Sequence, residues 1–389
     1  MKIHRNKEKD DHMGYISIHL IGTLIFDTII LIIALSNIWE YKRLESFSRL
    51  NNRPFISVLV PARNEEENIE RCITSLINQD YPNYEIIVLN DNSTDRTGQI
   101  LERLGAENDK LKVINGKELP KGWMGKNWAC HQLSEVAKGE YLLFTDADTK
   151  HRPETISDSI FAMIHFDADL LNAFPRQITG TFGEKLIVPI THWSFFSFLP
   201  LFVAHRIKST VLTLTIGQFM LFKREAYSDI GGHAAVKGSV LDDVPLGRNI
   251  KKFGLKWRLV DGMNRISCRM YTDFKSSFNG FARNLLAAFN YNTILLFWVW
   301  FWIVNVIWDP IIFLTINLFT NFMLFYEIIL SLMLIIMNLI LWAIAYIRFD
   351  YPIYLIFLQP IISILMFAIA LKSLYQQMRG SLVWKDRKM

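Results

Sequence analysis

The sequence is poor in cysteine, has little net charge and shows no small-residue cleavage site after its first apolar run, and each shortage bears on the class of protein. Only Cys72, Cys130 and Cys268 occur in 389 residues. They lie far apart, with no CxxC and no Cys/His pair at ligand spacing, so neither a disulfide framework nor a zinc site is indicated. His192, His205 and His233 also lack metal-ligand spacing. A formal net charge of +5 is too modest to argue for a nucleic-acid partner. The basic residues flank apolar segments instead, a pattern suited to an anionic membrane surface. No small-residue cleavage site follows the first apolar run, which is therefore expected to stay as an anchor.

What is abundant is apolar side chain, 51% of the total with 13% aromatic, and it is unevenly placed. Polar sequence fills roughly 40–185 and apolar sequence crowds both ends. Residues 16–39 are long enough to cross a bilayer core of about 30 Å. Asp27 lies within them and is expected to face another helix. Lys42, Arg43, Arg49 and Arg53 follow, and by the positive-inside rule the next domain is cytoplasmic. Near the other end, residues 293–319, 323–347 and 353–373 could each span. Asp309-Pro310 interrupts the first of these, which reads as a kinked span, two half-spans or an interfacial segment. Arg379, Lys385, Arg387 and Lys388 favour a cytoplasmic C-terminus, which requires an even number of crossings after the polar domain. Residues 293–319 are accordingly expected not to cross once. The chain thus divides into a polar N-terminus (1–15), an anchor (16–39), a basic linker (40–54), a domain (55–290), a C-terminal membrane region (291–375) and a basic tail (376–389).

Within the domain, short apolar runs at 56–60, 85–89, 111–114 and 141–145 alternate with helical patterns. Ile69, Cys72, Ile73, Leu76 and Ile77 carry the spacing of one buried helix face. Strands buried on both faces and alternating with helices predict an α/β fold, a doubly wound, mainly parallel, Rossmann-like sheet. Ligands of such sheets bind beyond the carboxyl ends of the strands. The first strand ends in Pro61-Ala62-Arg63-Asn64-Glu65-Glu66 and the second in Asn90-Asp91-Asn92-Ser93-Thr94-Asp95. Each alone reads equally well as a polar turn and helix cap. The fourth ends in Thr145-Asp146-Ala147-Asp148. In an extended segment the two carboxylates share a face, and their repulsion calls for a cation. Hard divalent ions, Mg²⁺ or Mn²⁺, bind carboxylate oxygens together with substrate phosphates.

The series VPARNEEENI, VLNDNSTD and FTDAD resembles the inverting family 2 glycosyltransferases of the GT-A fold. Gly122-Trp123-Met124-Gly125-Lys126, Gly217 to Tyr227, Ile230-Gly231-Gly232-His233 and Asp242-Asp243-Val244-Pro245-Leu246-Gly247 resemble further blocks of that family in the expected order. The resemblance covers about 55–290 and implies that this is the catalytic domain, between N- and C-terminal transmembrane helices of a multi-pass cell-membrane protein. It implies a nucleotide diphosphate sugar as donor, with Asp91 on the base, Pro61, Ala62 and Glu65 lining the nucleoside, and Lys126 and Asp146 near the diphosphate. Asp148, with Asp146, would hold the divalent metal. Asp243, with Asp242 beside it, would be the catalytic base that takes the acceptor proton. The family's processive synthases carry a QxxRW motif that this chain lacks. Arg269-Met270-Tyr271 and Arg283-Asn284 stand there instead, and either arginine could meet phosphate or the membrane surface.

GWMGKNWAC, the Gly-Gly-His block, Arg269-Met270-Tyr271 and the tail VWKDR are similar to membrane glycosyltransferases of carotenoid-type lipids, the diaponeurosporenoate and hydroxychlorobactene glucosyltransferases. Residues 186–216 are apolar and aromatic but interrupted by Pro189, His192, Pro200, His205, Arg206 and Lys208. They are expected to lie at the membrane interface and admit a lipid acceptor, the alternative being ordinary domain core. Transfer of one sugar, from UDP-glucose or a relative, to a lipid hydroxyl or carboxyl with inversion is the expected activity. A processive polysaccharide synthase and a non-catalytic nucleotide-sugar-binding membrane protein are the competing expectations.

Overall fold

The computed structural model describes residues 2–47, 53–379, 383–384 and 387–388, with side chains over 15–47 and 53–379. Arg49 of the basic linker, Lys385 of the tail, and the side chains of Arg387 and Lys388 lie outside the described set. The chain opens with helix α1 (Lys2–Glu40) and then alternates: β1 (Ile56–Ala62), α2 (Ile69–Ile77), β2 (Tyr84–Asn90), α3 (Thr97–Glu107), β3 (Leu111–Asn115), α4 (Gly125–Val136) and β4 (Tyr141–Thr145). Next come β5 (Thr149–His151), α5 (Thr155–His165), β6 (Leu170–Phe174), β7 (Arg176–Gln177), α6 (Phe182–Ile187), α7 (Pro189–Phe198) and α8 (Leu201–Ala204). The last globular elements are β8 (Phe219–Lys223), α9 (Arg224–Asp229), α10 (Asp243–Lys252), β9 (Trp257–Asp261) and β10 (Ile266–Cys268). Helices α11 (Phe274–Ala288), α12 (Thr293–Thr320), α13 (Phe325–Arg348) and α14 (Gln359–Met378) complete the helical part, with a 3₁₀ segment at Ile353–Leu358 before α14.

These elements fall into two compact units. One is α/β and comprises Trp39–Gly180, Leu201–Thr272 and Arg379–Met389; the other gathers Met1–Ile38, Thr181–Pro200 and Asp273–Met378. In the α/β unit seven strands are ordered β3-β2-β1-β4-β8-β6-β9. β1 pairs in parallel with both β2 and β4, and only β8 runs against its neighbours. The sheet is therefore the mainly parallel, doubly wound arrangement read from the alternating pattern. Val58, Leu59, Val60, Ile86, Ile87 and Val88 have no exposed surface, because helices cover both faces. Strand order reverses between β1 and β4, so their carboxyl ends, at Ala62 and Thr145, open the crevice where such sheets bind ligands. A second sheet, β5-β10-β7, pairs Thr149 with Cys268 and so brings the segment before Arg269 beside the Asp146–Asp148 turn.

In the second unit, α12 is one unbroken helix of 28 residues that runs through Pro310. At 1.5 Å per residue it is about 42 Å long. Of the options left open at Asp309-Pro310, two separate half-spans are not formed; the Asp309 carboxylate is held by His19 Nε2 at 2.8 Å. Tyr15–Glu40, Thr293–Thr320, Phe325–Arg348 and Ile353–Met378 are long and apolar enough to cross a membrane. Asp27 meets Asn338 Nδ2 at 2.9 Å, so it faces another helix as expected. Residues 186–216 are divided between the two units at Pro200. Pro189, Ile190, Trp193, Phe195 and Phe196 are buried in the apolar-helix unit, whereas Phe202, Val203, Ile207 and Val211 of the α/β unit are exposed. Two histidines of that stretch have side-chain partners within their own unit. His192 Nδ1 lies 2.8 Å from the Tyr351 hydroxyl, and His205 Nδ1 lies 3.0 Å from Glu40.

Candidate active site

The ends of β1 and β2 are cross-braced by the polar residues that cap them. Thr94 N donates to Asn64 Oδ1 (2.9 Å), Asn64 N to Ser93 Oγ (3.1 Å), Glu65 N to Thr97 Oγ1 (2.8 Å) and Glu66 N to Asp95 Oδ2 (3.0 Å). Asn64 and Asn92 take left-handed backbone conformations, at φ 50° and 51°, which asparagine tolerates better than most residues. Both loops thus serve the structural role open to each alone, and together they fix the positions of Ala62, Glu65 and Asp91. Asp91 is buried, and its backbone N–H donates to the Ala62 carbonyl at 2.8 Å. Pro61 is half-buried one residue earlier in β1.

Asp146 and Asp148 leave from a turn between β4 and β5, not from the extended segment expected. Thr149 holds this turn, its Oγ1 donating to the Asp146 carbonyl at 2.7 Å. Lys126, near the start of α4, points its ammonium at Asp146 Oδ1 (2.8 Å) and at Asp242 Oδ1 (3.5 Å). Burial works against the charge on Lys126, but Asp146 and Asp242 overcome it and hold its pKa well above the ordinary lysine value. Lys126 therefore joins the strand-end acids to the acidic pair, two motifs almost a hundred positions apart in the chain.

The two members of the acidic pair sit in different surroundings. Burial opposes ionisation of Asp242, yet Lys126 and then His233 pull its pKa below the ordinary carboxylate range. Asp243 is pushed up to about 7, first by burial and then by the charge of Asp242. Its Oδ2 accepts from Gly217 N and its Oδ1 from Val244 N, both at 2.8 Å, at the N-terminus of α10. The structure also explains why residue 217 is glycine. A Cβ there would come within 2.9 Å of Lys126 Nζ and 3.6 Å of Asp243 Oδ2.

Other residues that hold the cluster stand outside the expected set. Asn127 is buried and donates to the carbonyls of Val236 (2.8 Å), Lys237 (3.3 Å) and Ser239 (3.1 Å). It thereby ties the approach to Asp242 onto α4. His233 lies 3.4 Å from Asp242 through Nε2 and 2.8 Å from the Tyr227 hydroxyl through Nδ1. Burial keeps the pKa of His233 below the ordinary histidine value. The carboxylate can only accept, so Nε2 carries the proton and the Tyr227 hydroxyl donates into Nδ1. Cys130, His233 and Asp242 bring donor atoms within 4.8 Å of one another, a group that could hold a metal by distance and that sequence spacing did not announce. Lys126 already supplies positive charge beside Asp242, so the group works as a polar network.

Asp148 presents the better oxygen for a cation. Its Oδ1 is buried without a hydrogen-bond partner among the described residues. Burial first, then the charge of Asp146, pushes its pKa up to about 7. An orphaned carboxylate oxygen beside a second carboxylate, both hard donors, fits Mg²⁺ or Mn²⁺. Cys268 lies against Asp148 and accepts from Gln218 Nε2 at 3.0 Å. Arg269 follows directly, its guanidinium packed so closely on Gly180 that a Cβ there would sit 2.4 Å from Nη2. Arg283 belongs to α11 in the other unit, where its Nε contacts Asn284.

Comparison with known proteins agrees with this geometry. The sequence model of glycosyl transferase family 2 matches residues 57–231. A beta-monoglucosyldiacylglycerol synthase from Nostoc sp. is 36% identical over 144 residues, covering 35% of this chain and 30% of that protein. A 4,4'-diaponeurosporenoate glycosyltransferase from Staphylococcus aureus is 26% identical over 243 residues, 60% of this chain and 61% of that one. The chain thus matches under two thirds of the length of either relative. A mannosyltransferase from Pyrobaculum calidifontis, solved in complex with GDP-Man and Mn²⁺, superposes with a TM-score of 0.56 at 17% identity, covering 94% of this chain and 99% of that one, which establishes the GT-A fold. On this match, residues 57–231 form a region of glycosyl transferase family 2 type, set in a sheet of the GT-A fold.

Proposed function

We propose that the protein is a membrane enzyme that transfers one sugar, with inversion, from a nucleoside diphosphate sugar to a hydroxyl or carboxyl of a lipid, its α/β unit lying in the cytoplasm. The observation that carries this reading is the cluster in which Lys126 links Asp146 to Asp242, with Asp243 beside them. A sugar diphosphate needs positive charge where its leaving group departs and a base where the acceptor attacks. Lys126 offers the first. Asp146 and Asp148 would hold a divalent ion there, which when bound neutralises the leaving diphosphate as a Lewis acid. Asp91, buried at the end of β2, and the β1 end at Pro61, Ala62 and Glu65 offer the place for the nucleoside. Arg269 follows Cys268, which pairs with Thr149 beside the Asp146–Asp148 turn, and would offer its guanidinium to the diphosphate there.

Asp243 suits the base. A carboxylate of ordinary pKa is a weak proton acceptor, and one near the working pH is effective. Its two backbone hydrogen bonds fix the carboxylate plane, so proton removal needs no rearrangement of the side chain. Attack from the face opposite the departing diphosphate inverts the sugar carbon. The two relatives named for diacylglycerol and carotenoid glycosylation and the four long apolar helices support a lipid as acceptor.

Purified protein given labelled nucleotide sugars and a lipid extract should yield a labelled glycolipid carrying one sugar, identified by mass spectrometry. A long polymer, or equal turnover on a water-soluble alcohol, would overturn the reading. Asp243→Asn should lower turnover by about 10²–10⁴-fold with donor affinity retained. In the wild type the active form is the ionised carboxylate, so activity should rise with pH through about 7; a flat profile there would remove Asp243 as base. Asp148→Ala should abolish the response to added Mg²⁺ or Mn²⁺, and an unchanged response would place the ion elsewhere. Gly217→Ala should keep the thermal midpoint, because the crowded atom is the end of a flexible lysine. It should still cost at least about tenfold in turnover, and full activity would show that the position of Lys126 is not required.

A further inference from the structure

Residues 353–378 have the length and hydropathy of a fourth span. The direction of the helices argues otherwise. Ser17 reaches Glu327 at 2.5 Å and Asp27 reaches Asn338 at 2.9 Å, so α1 and α13 run the same way. His19 pairs with Asp309, and the Phe26 ring lies 6.0 Å from that of Trp302, so α12 runs against both. Along α14, Trp308 Nε1 donates to the Pro360 carbonyl at 3.1 Å and the Phe367 ring lies 5.9 Å from that of Phe297. Rising numbers in α14 again meet falling numbers in α12. Two successive helices, α13 and α14, therefore point in the same direction.

Helices that point the same way need a return between them, and the return here is short. Only residues 349–358 are available, and Ile353–Leu358 among them is 3₁₀, which advances about 2 Å per residue. That is about 12 Å, less than half of a bilayer core. The contact at Trp308 marks where the return stops, near the middle of α12 (Thr293–Thr320). From there α14 climbs back to the end of α12 that adjoins α11. Lys372 Nζ meets Asn279 at 2.5 Å, and Leu286 N donates to Ser373 Oγ at 3.1 Å. Irregular backbone at membrane depth is tolerated where protein covers it, and Leu355, Ile356 and Gln359 are buried.

We infer that residues 353–378 are a re-entrant hairpin that enters and leaves on the side of Arg348 and Lys372, offering the lipids of that leaflet a face of Phe357, Ile361, Ile364, Leu371 and Tyr375. Those five side chains are half or more exposed and recur at helical spacing from Ile361 onward. The charge distribution agrees independently. Lys42 and Arg43 after α1, Arg348 at the end of α13 and Lys372 near the end of α14 all fall on one side, while residues 320–325 between α12 and α13 carry no charge. Two crossings then follow the α/β unit, the even number that a cytoplasmic tail requires. The segment that fails to cross is the last apolar one, not 293–319.

The inference rests on the apolar helices lying in a membrane and is independent of glycosyl transfer. Its test uses the full chain in sealed vesicles of both orientations, with Lys42→Cys, Thr320→Cys, Phe357→Cys and Gln377→Cys made singly and treated with a membrane-impermeant maleimide. The three native thiols are buried and serve as background. Gln377→Cys should label in the same vesicle orientation as Lys42→Cys, and Thr320→Cys only in the other. Labelling of Gln377→Cys together with Thr320→Cys would establish a full crossing and overturn the hairpin. Spin labels at 357, 364, 371 and 378 give a second reading that does not depend on thiol accessibility. Depth should be greatest at 357 and decrease steadily to 378, whereas a crossing helix would be deepest near 364.

Discussion

The ammonium group of Lys126 is the interaction on which the site depends. Asp146, Asp242 and Asp243 approach one another inside the α/β unit, and three carboxylates, one buried and two partly buried, would repel strongly without a cation. Lys126 touches Asp146 and Asp242 directly, and this decides how charge is shared. Asp242, paired with the lysine and with His233, is held ionised. Asp243, one residue later but outside the pair, is left with the raised pKa. One lysine thus separates two adjacent and chemically identical side chains into a fixed charge and a group that can exchange its proton near neutral pH.

The surrounding structure is arranged to keep that lysine in place. Gly217 leaves room for it, Asn127 fixes the segment leading to Asp242, and Tyr227 and His233 orient the Asp242 carboxylate from behind. None of these touches the strand ends at Ala62 and Asp91, where the interlocked loops do the equivalent work with Asn64, Ser93, Thr97 and Asp95. The site is therefore assembled from two independently braced halves, one at β1 and β2 and the other around α4 and α10.

Much of this could be read from the order of residues, in most cases for a physical reason. The strands are visible because burial on both faces makes them continuous apolar runs, and their polar ends follow from the sheet topology. Asp148 stands out as half of a carboxylate pair at a strand end, and Asp243 through the likeness of its block to a known family. Asn127, Tyr227 and His233 carry no such mark. Each makes its contact across a distance in sequence, and an asparagine bound to three carbonyls looks the same in a string as one in a loop. The turn at Asp146–Asp148 was also hidden, since strand β5 depends on pairing with β10, 117 positions from Thr149 to Ile266.

The apolar segments show the complementary limit. Hydropathy gives the length of a stretch that can be immersed in lipid and says nothing about direction. Direction is set by the few polar side chains that must find partners in a medium without water. Ser17 with Glu327, Asp27 with Asn338 and His19 with Asp309 fix how α1, α12 and α13 lie against one another. The indole of Trp308 does the same for the start of α14. These pairings cost the chain some apolar surface, yet they are what distinguishes a helix that crosses from a hairpin that turns back. The proposed hairpin gives the parity that the basic residues require, and Pro310 lies within an unbroken helix.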